Sequence, residues 1–308
     1  IPVKMPMGLA LTGCFAECHI PTIAHHHDFY WERDRFMVNA VSDYLRMAFP
    51  PVLPSIEHVV INSVADIQLS LRTGISSHVI YNVMDFDNPP EPPDEYTFDV
   101  RQALGIEDDE IFVLQPTRVV QRKGIEHAIE LVHRLGRKAK LVISHASGDE
   151  GWDYEQRLKD YSKLMKVNTI FVDDIINEKR GTTDDGRKIY TLEDIYPYAD
   201  LVTYPSTFEG FGNAFLETLY FKKPIVVNTY SIYLKDIQPK GFKVIEIDGY
   251  VTDKAVEQTK QILDNPELCK EMVDHDYELA KEYFSYTVLE RILRHYMIEH
   301  NWLTPDQC

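Results

Sequence analysis

The sequence predicts an α/β protein with parallel sheets, arranged in two domains, and three observations carry that reading. Short runs of β-branched and apolar residues alternate with stretches of helical apolar spacing along the chain, the pattern of strand–helix–strand units and hence of parallel sheets. Residues 201–221 read as a buried strand, a glycine-containing turn and a helix, the arrangement by which α/β proteins aim backbone N–H groups at an anion. Between residues 89 and 93 all but one residue is proline. Such a run continues neither a helix nor a central strand, so it reads as a semi-rigid linker.

Taken in order, residues 6–18 have helical apolar spacing and residues 20–24 read as a strand. His25, His26, His27, Asp28, Phe29, Tyr30, Trp31, Glu32 and Arg33 then form the densest polar and aromatic cluster in the chain, at a strand's C-terminal end, where open α/β sheets bind ligands. Adjacent residues of an extended chain point to opposite faces, so the three histidines do not all converge on a metal ion. A structural or substrate-facing role is expected instead. Residues 35–49 continue as a helix that Pro50 and Pro51 stop, and residues 58–62 form a strand. Ser63 caps a helix that Gly74 ends, and residues 77–81 form another strand.

After the prolines, residues 98–104 form a helical turn stopped by Gly105, and residues 111–114 a buried strand. A loop carrying Arg118 and Lys123 follows, then a helix over residues 125–135 with apolar residues at 125, 128, 129, 131, 132 and 135. Two cations beside a helix N-terminus suit a pyrophosphate, which needs charge neutralisation and donors together. Residues 140–144 and 169–172 are further strands with a charged helix over 154–166 between them; residues 177–188 read as a polar, mobile insertion, and 192–198 as a short helix. Beyond the central stretch come strands at 224–228 and 242–247, helices over 254–265 and 267–282 split by Pro266, and a last helix reaching His300.

Bulk properties remove several function classes. A net charge of -17 argues against a nucleic-acid-binding face, and no apolar run reaches membrane-spanning length. Cys14, Cys18, Cys269 and Cys308 show neither Cys-x-x-Cys nor ligand-like spacing. Buried free thiols and a cytoplasmic location are therefore expected.

Glu209 precedes Gly210, Phe211, Gly212 and Asn213, and Glu217 follows one turn inside the helix. Glu-x7-Glu with Gly-Phe-Gly after the first Glu resembles the signature of retaining glycosyltransferases of family 4, and Arg118-x4-Lys123-Gly124 is similar to that family's donor-phosphate motif, with Thr117 where Gly is common. Asn82, Val83 and Asp85 resemble the segment by which family members leave the N-terminal domain, with Met84 in place of its glycine. The resemblance implies a GT-B fold, in which a nucleotide sugar binds between two Rossmann-like domains with parallel sheets, the N-terminal one incomplete here. Its bounds would be 1–88 for a partial acceptor-side domain, 89–97 for the linker, 98–283 for the nucleotide-sugar domain and 284–308 for a helix crossing back. A family member would carry about another hundred residues ahead of Ile1, by the usual size of such a domain.

By the same resemblance Glu209 contacts the donor sugar, the backbone of Gly210, Phe211, Gly212 and Asn213 serves sugar and phosphate, and Glu217 takes the ribose hydroxyls. Arg118 and Lys123 hold the phosphates, while the segment around Ile175 meets the nucleobase through main chain. His27, with Glu209 the catalytic candidate, faces the donor sugar together with Asp28, and His26, Asp28, Glu32 and Arg33 are the acceptor-side candidates. Asp85-Phe86-Asp87 is set aside as a metal motif because it precedes a proline linker instead of closing a nucleotide-binding strand. The implied activity is that of a metal-independent, retaining hexosyltransferase without a cofactor, moving a sugar from a nucleotide-sugar donor to an acceptor hydroxyl. A nucleotide-sugar 2-epimerase of the same fold and a sugar-nucleotide-binding module without turnover are the alternatives.

Overall fold

The structure is a computed structural model, and it describes residues 4–32, 36, 38–145, 152–172, 174–300 and 302. The chain divides into two compact units, Ile1–Asn82 and Val83–Cys308.

In the first unit, helix α1 (Met5–Cys18) leads into β1 (Thr22–His26), followed by α2 (Ser42–Ala48), β2 (Ile56–Val60), α3 (Ser63–Thr73) and β3 (His78–Val79). The strands are parallel in the order β1-β2-β3, with His26 opposite Val60. Phe29, Val60, Ala65 and Leu69 form the core. The sequence-based expectations need three amendments here. Asn62, not Ser63, is the N-cap of α3, its side chain accepting from the Ala65 N–H. Within the helix expected over 35–49, the described residues carry a helix at Ser42–Ala48, and ahead of it Asn39 binds the backbone on both sides, its amide donating to Phe36 O at 2.8 Å and its oxygen accepting from Val41 N at 3.0 Å. Such a local turn competes with helical pairing. Cys14 and Cys18 are exposed rather than buried, because the apolar residues of α1 form no single stripe and none of them is buried.

The second unit begins ahead of the proline run. Phe86 is wholly buried and its carbonyl accepts from the Tyr277 hydroxyl, while Met84 N–H donates to Phe284 O. The unit comprises α4 (Val100–Ala103), β4 (Ile111–Gln115), α5 (Ile125–Leu135), β5 (Ala139–Ile143), α6 (Trp152–Met165), β6 (Asn168–Phe171), the hairpin β7 (Gly181–Thr182) and β8 (Lys188–Ile189), α7 (Leu192–Ile195), β9 (Leu201–Tyr204), α8 (Asn213–Tyr220), β10 (Ile225–Asn228), β11 (Ile245–Ile247), α9 (Asp253–Asp264), α10 (Pro266–Phe284) and α11 (Tyr286–Glu299). Its main sheet runs β11-β10-β9-β4-β5-β6, all parallel. The chain winds outward from β4 to β6, returns to β9 beside β4, then winds the other way. Between β4 and β9 lies the switch point, where open α/β sheets present a crevice at the strands' carboxyl ends.

The segment read as a mobile insertion is a pinned hairpin. Arg180 donates to Asp194 and Asp94, and the Tyr96 hydroxyl reaches the carbonyls of Gly181 and Ile189 at 2.9 Å each. The Asp85-Phe86-Asp87 carboxylates serve the backbone and a neighbour: Asp87 accepts from the N–H and hydroxyl of Thr287 at the start of α11, and Asp85 from Asn88.

Candidate active site

The site is built from the loops that leave β4 and β9. Gln115, the last residue of β4, is fully buried; its oxygen accepts from Thr203 on β9 at 2.7 Å and its amide donates to Thr117 in the outgoing loop at 2.8 Å. The loops then lock together. Thr207 donates to Arg122 O through its N–H at 2.8 Å and its hydroxyl at 3.1 Å. Gly124 has φ +58°, and a Cβ there would lie 2.5 Å from Pro205 O. Gly212 has φ +117°, and a Cβ there would meet the Tyr230 hydroxyl at 2.5 Å. Only glycine fits either position.

This closure brings Glu209, buried at 8% exposure, onto Lys123, also at 8%, in a hydrogen-bonded ion pair. Arg122 Nη1 stands 3.2 Å from the other carboxylate oxygen and 3.1 Å from Phe208 O. Burial works to raise the Glu209 carboxyl, but the Lys123 ammonium and the Arg122 guanidinium outweigh it and hold the group below its ordinary value. Burial lowers Lys123 in turn, against the pull of Glu209. Arg118 is exposed on the same loop, near enough for its charge to act on Lys123 and on His145 at the end of β5. The loop after β9 runs into α8 through Gly212, and Asn228 clamps it, its amide donating to Ser206 O at 3.0 Å.

A cavity of about 530 Å³ opens beside these loops, its wall including His145, Ile176, Asn177, Glu193, Tyr196 and Glu217. Glu217 accepts from the Tyr196 hydroxyl at 3.0 Å, and burial raises its carboxyl above the ordinary range.

The sequence candidates take distinct places. Glu209, Lys123, Arg118, Gly210, Gly212, Asn213 and Glu217 all lie on the two loops and the first turns of α8. The Phe211 side chain is core, 2% exposed against Phe284, and its carbonyl accepts from Tyr230 at 2.7 Å. Ile175 is also buried, with N–H donated to Val172 O and its carbonyl accepting from Tyr190 N; Ile176 and Asn177 line the cavity instead. In the first unit His25 and His27 are exposed with rings 4.5 Å apart, and they line a separate cavity of about 320 Å³ with His26, Asp28, Tyr30 and Phe49. His26 Nε2 lies 2.9 Å from His58 Nδ1, two residues before its register partner Val60 and so on the same sheet face. The Glu32 carboxylate accepts from Phe29 N at 2.7 Å, and Arg33 lies outside the described residues.

Arg122, His145 and Tyr196 were not legible as site residues. Arg122 was masked by the stronger Arg-x4-Lys spacing, while Tyr196 meets Glu217 across 21 positions of sequence.

The switch-point crevice thus holds a carboxylate among cations, beside a cavity with a second carboxylate on its wall. The family model for glycosyl transferases group 1 matches residues 97–278. The chain belongs to that family of glycosyltransferases. It is 34% identical over 304 residues to the mannosylglucosylglycerate synthase of Thermotoga maritima, covering 88% of this chain and 68% of that protein. With the mannosylglucosylglycerate synthase of Petrotoga mobilis it shares 36% over 248 residues, spanning 74% of this chain and 57% of that one. Anabaena HepE, solved with UDP and glucose, shares the fold with a TM-score of 0.70 at 15% identity, over 95% of this chain and 75% of its own. Among the described residues no helix is long and apolar enough to cross a membrane.

Proposed function

We propose that the protein moves a hexosyl group from a nucleotide-sugar donor to a hydroxyl of a small glycoside acceptor, with retention of anomeric configuration and without a metal ion. Likeness to the two synthases favours a mannosyl group and an acceptor of the glucosylglycerate kind. The observation that supports the reading most is the placement of Glu209 with Lys123 and Arg122 at one side of the switch point and Glu217 on the cavity wall beside it.

As the C1–O bond to the nucleoside diphosphate breaks, negative charge grows on the β-phosphate, where Arg118, Lys123 and the N-terminal end of α8 stabilise it. Positive charge develops at C1, where Glu209 orients the sugar and offsets that charge. The acceptor hydroxyl forms the new C1–O bond on the face the leaving group vacates, and its proton passes to the departing phosphate oxygen. Glu217 holds the ribose, and the cavity takes the base. His27 and Asp28 are assigned to the donor sugar, and His26, Asp28, Glu32 and Arg33 to the acceptor side.

The test is incubation with a panel of nucleotide sugars, with and without glucosylglycerate, and anomeric assignment of the product by NMR. The reading expects an α-linked product from an α-linked donor, formed equally after chelator treatment. An inverted product refutes retention, and activity lost to chelator and restored by magnesium or manganese refutes metal independence. Epimerised donor formed without acceptor replaces transfer with the epimerase reaction.

A further inference from the structure

We infer that Tyr196 is a positioning residue of the donor site, whose hydroxyl fixes the Glu217 carboxylate on the cavity wall in the orientation that receives the ribose hydroxyls and so sets donor affinity. The inference rests on the ribose role of Glu217 proposed above.

The Tyr196 ring is completely buried and stacks on Phe221 with centroids 4.9 Å apart and planes 7° from parallel. Its hydroxyl oxygen is thereby fixed in place, and the hydroxyl donates to Glu217 Oε2 at 3.0 Å. One carboxylate oxygen is held from behind while both residues border the same cavity, which leaves the second oxygen and the remaining lone pairs for a ligand.

Tyr196 is anchored in turn. It follows α7 directly, and α7 starts in a capping box in which Thr191 accepts from Asp194 N and the Asp194 carboxylate accepts from Thr191 N. Arg180 holds that same Asp194 carboxylate, with Nε 3.0 Å from each oxygen, and ties it to Asp94 at 2.6 Å. The hairpin and the segment after the prolines thus share one rigid support with the ribose carboxylate.

The charges around Glu217 make the hydroxyl count. Burial disfavours its ionised form, Glu193 on α7 does likewise, and Lys123 favours it from across the loop. His145 and Glu178 border the same cavity. Tyr196 is the group that donates directly to the carboxylate, so removing its hydroxyl lets the carboxyl protonate at higher pH.

The test is calorimetric binding of UDP and GDP to wild type, Tyr196→Phe, Glu217→Ala and the double variant across mildly acidic to neutral pH, with steady-state kinetics on the first two. Tyr196→Phe keeps the stacking. It is expected to weaken binding of the preferred nucleotide and raise donor KM by about tenfold, the scale of one hydrogen bond to a charged group, with kcat at saturating donor unchanged. The acid limb of binding should move to higher pH relative to wild type; phosphate titration is common to both and cancels. The double variant should bind no more weakly than Glu217→Ala. Replacing Tyr196 by 3,5-difluorotyrosine, a stronger donor, should move the limb the opposite way and serves if Tyr196→Phe folds poorly. Wild-type affinity in Tyr196→Phe with weakened Glu217→Ala, or a limb unmoved by either replacement, overturns the positioning role alone. Wild-type affinity in Glu217→Ala overturns the ribose role and the inference with it.

Discussion

Lys123 and Glu209 leave different strands of the sheet and meet as a buried ion pair across its switch point, each side chain 10% exposed. Burying two charges is costly, and their attraction offsets that cost only while both are present. The pair joins the loops that leave β4 and β9, so in the proposed reaction one contact would serve both the fold and the chemistry.

Removing one partner should therefore be worse than removing both. Lys123→Ala leaves Glu209 with Arg122 as its remaining ion-pair partner and should destabilise the protein by about 3 kcal/mol, or about 6–12 °C in the melting temperature of a unit this size. Lys123→Met combined with Glu209→Gln should recover most of that loss while remaining inactive. A calorimetric melt of the three proteins is decisive: a double variant as unstable as Lys123→Ala refutes the coupling.

Gly124 sets the spacing of the loops. Gly124→Ala combines φ +58° with a Cβ 2.5 Å from Pro205 O, so the β9 loop must retreat. A stability loss of about 1–3 kcal/mol is expected, together with a fall in kcat/KM. Gly136→Ala is the control, since it has φ +64° with nothing within 4 Å of the added Cβ. It should share the conformational penalty and keep wild-type kinetics; equal kinetic losses in the two would show that loop spacing is not what Gly124 governs.

In the first unit His26 is held neutral. Burial, then the neighbouring charge of His58 and of the other histidines, depresses its pKa from 6.5 to about 3. Between those values the unfolded chain binds a proton that the folded chain refuses, so the stability is fully present above the unfolded value and is lost as pH falls toward about 3. The His26 imidazole resonances should show no titration between pH 8 and about pH 4, and acid unfolding of the whole chain should be blunted in His26→Gln. A His26 resonance titrating near its ordinary value would refute this.

Local order was legible where one physical signal dominated. β9 spans Leu201–Tyr204 and α5 spans Ile125–Leu135, the same residues that the apolar run and the helical spacing indicate, because every residue of the strand and one continuous stripe of the helix are buried. Glu209 and Lys123 were legible as residues of the loops that follow two strands, and Glu217 as one turn inside the helix beyond, from the glycines around them. What the sequence concealed depends on distant pairing. Asn228 clamps Ser206, Arg180 turns a polar segment into a hairpin support, and Tyr196 reaches Glu217. The π-helical turn Tyr233–Ile237 had no local signal either; it buries Tyr233 and Ile237 against the core.

The two glutamates should separate kinetically. Glu217 lies on the cavity wall, and in the proposed reaction it would contact a part of the donor that is left unchanged. Glu217→Ala should therefore raise donor KM with a smaller effect on kcat. Glu209 pairs with the cations, where charge would develop in the proposed reaction. Glu209→Gln keeps the shape and hydrogen-bonding capacity of the side chain but removes the charge that Lys123 and Arg122 hold in place. It should lower kcat by about 10²-fold or more, the scale of one preorganised electrostatic contact, with nucleoside diphosphate affinity nearly unchanged. Steady-state kinetics and calorimetry on both variants decide the matter. Equal loss of nucleoside diphosphate binding in the two would mean that the carboxylates act as one structural element. A fully active Glu209→Gln would take the turn glutamate out of the chemistry and move the search toward His27.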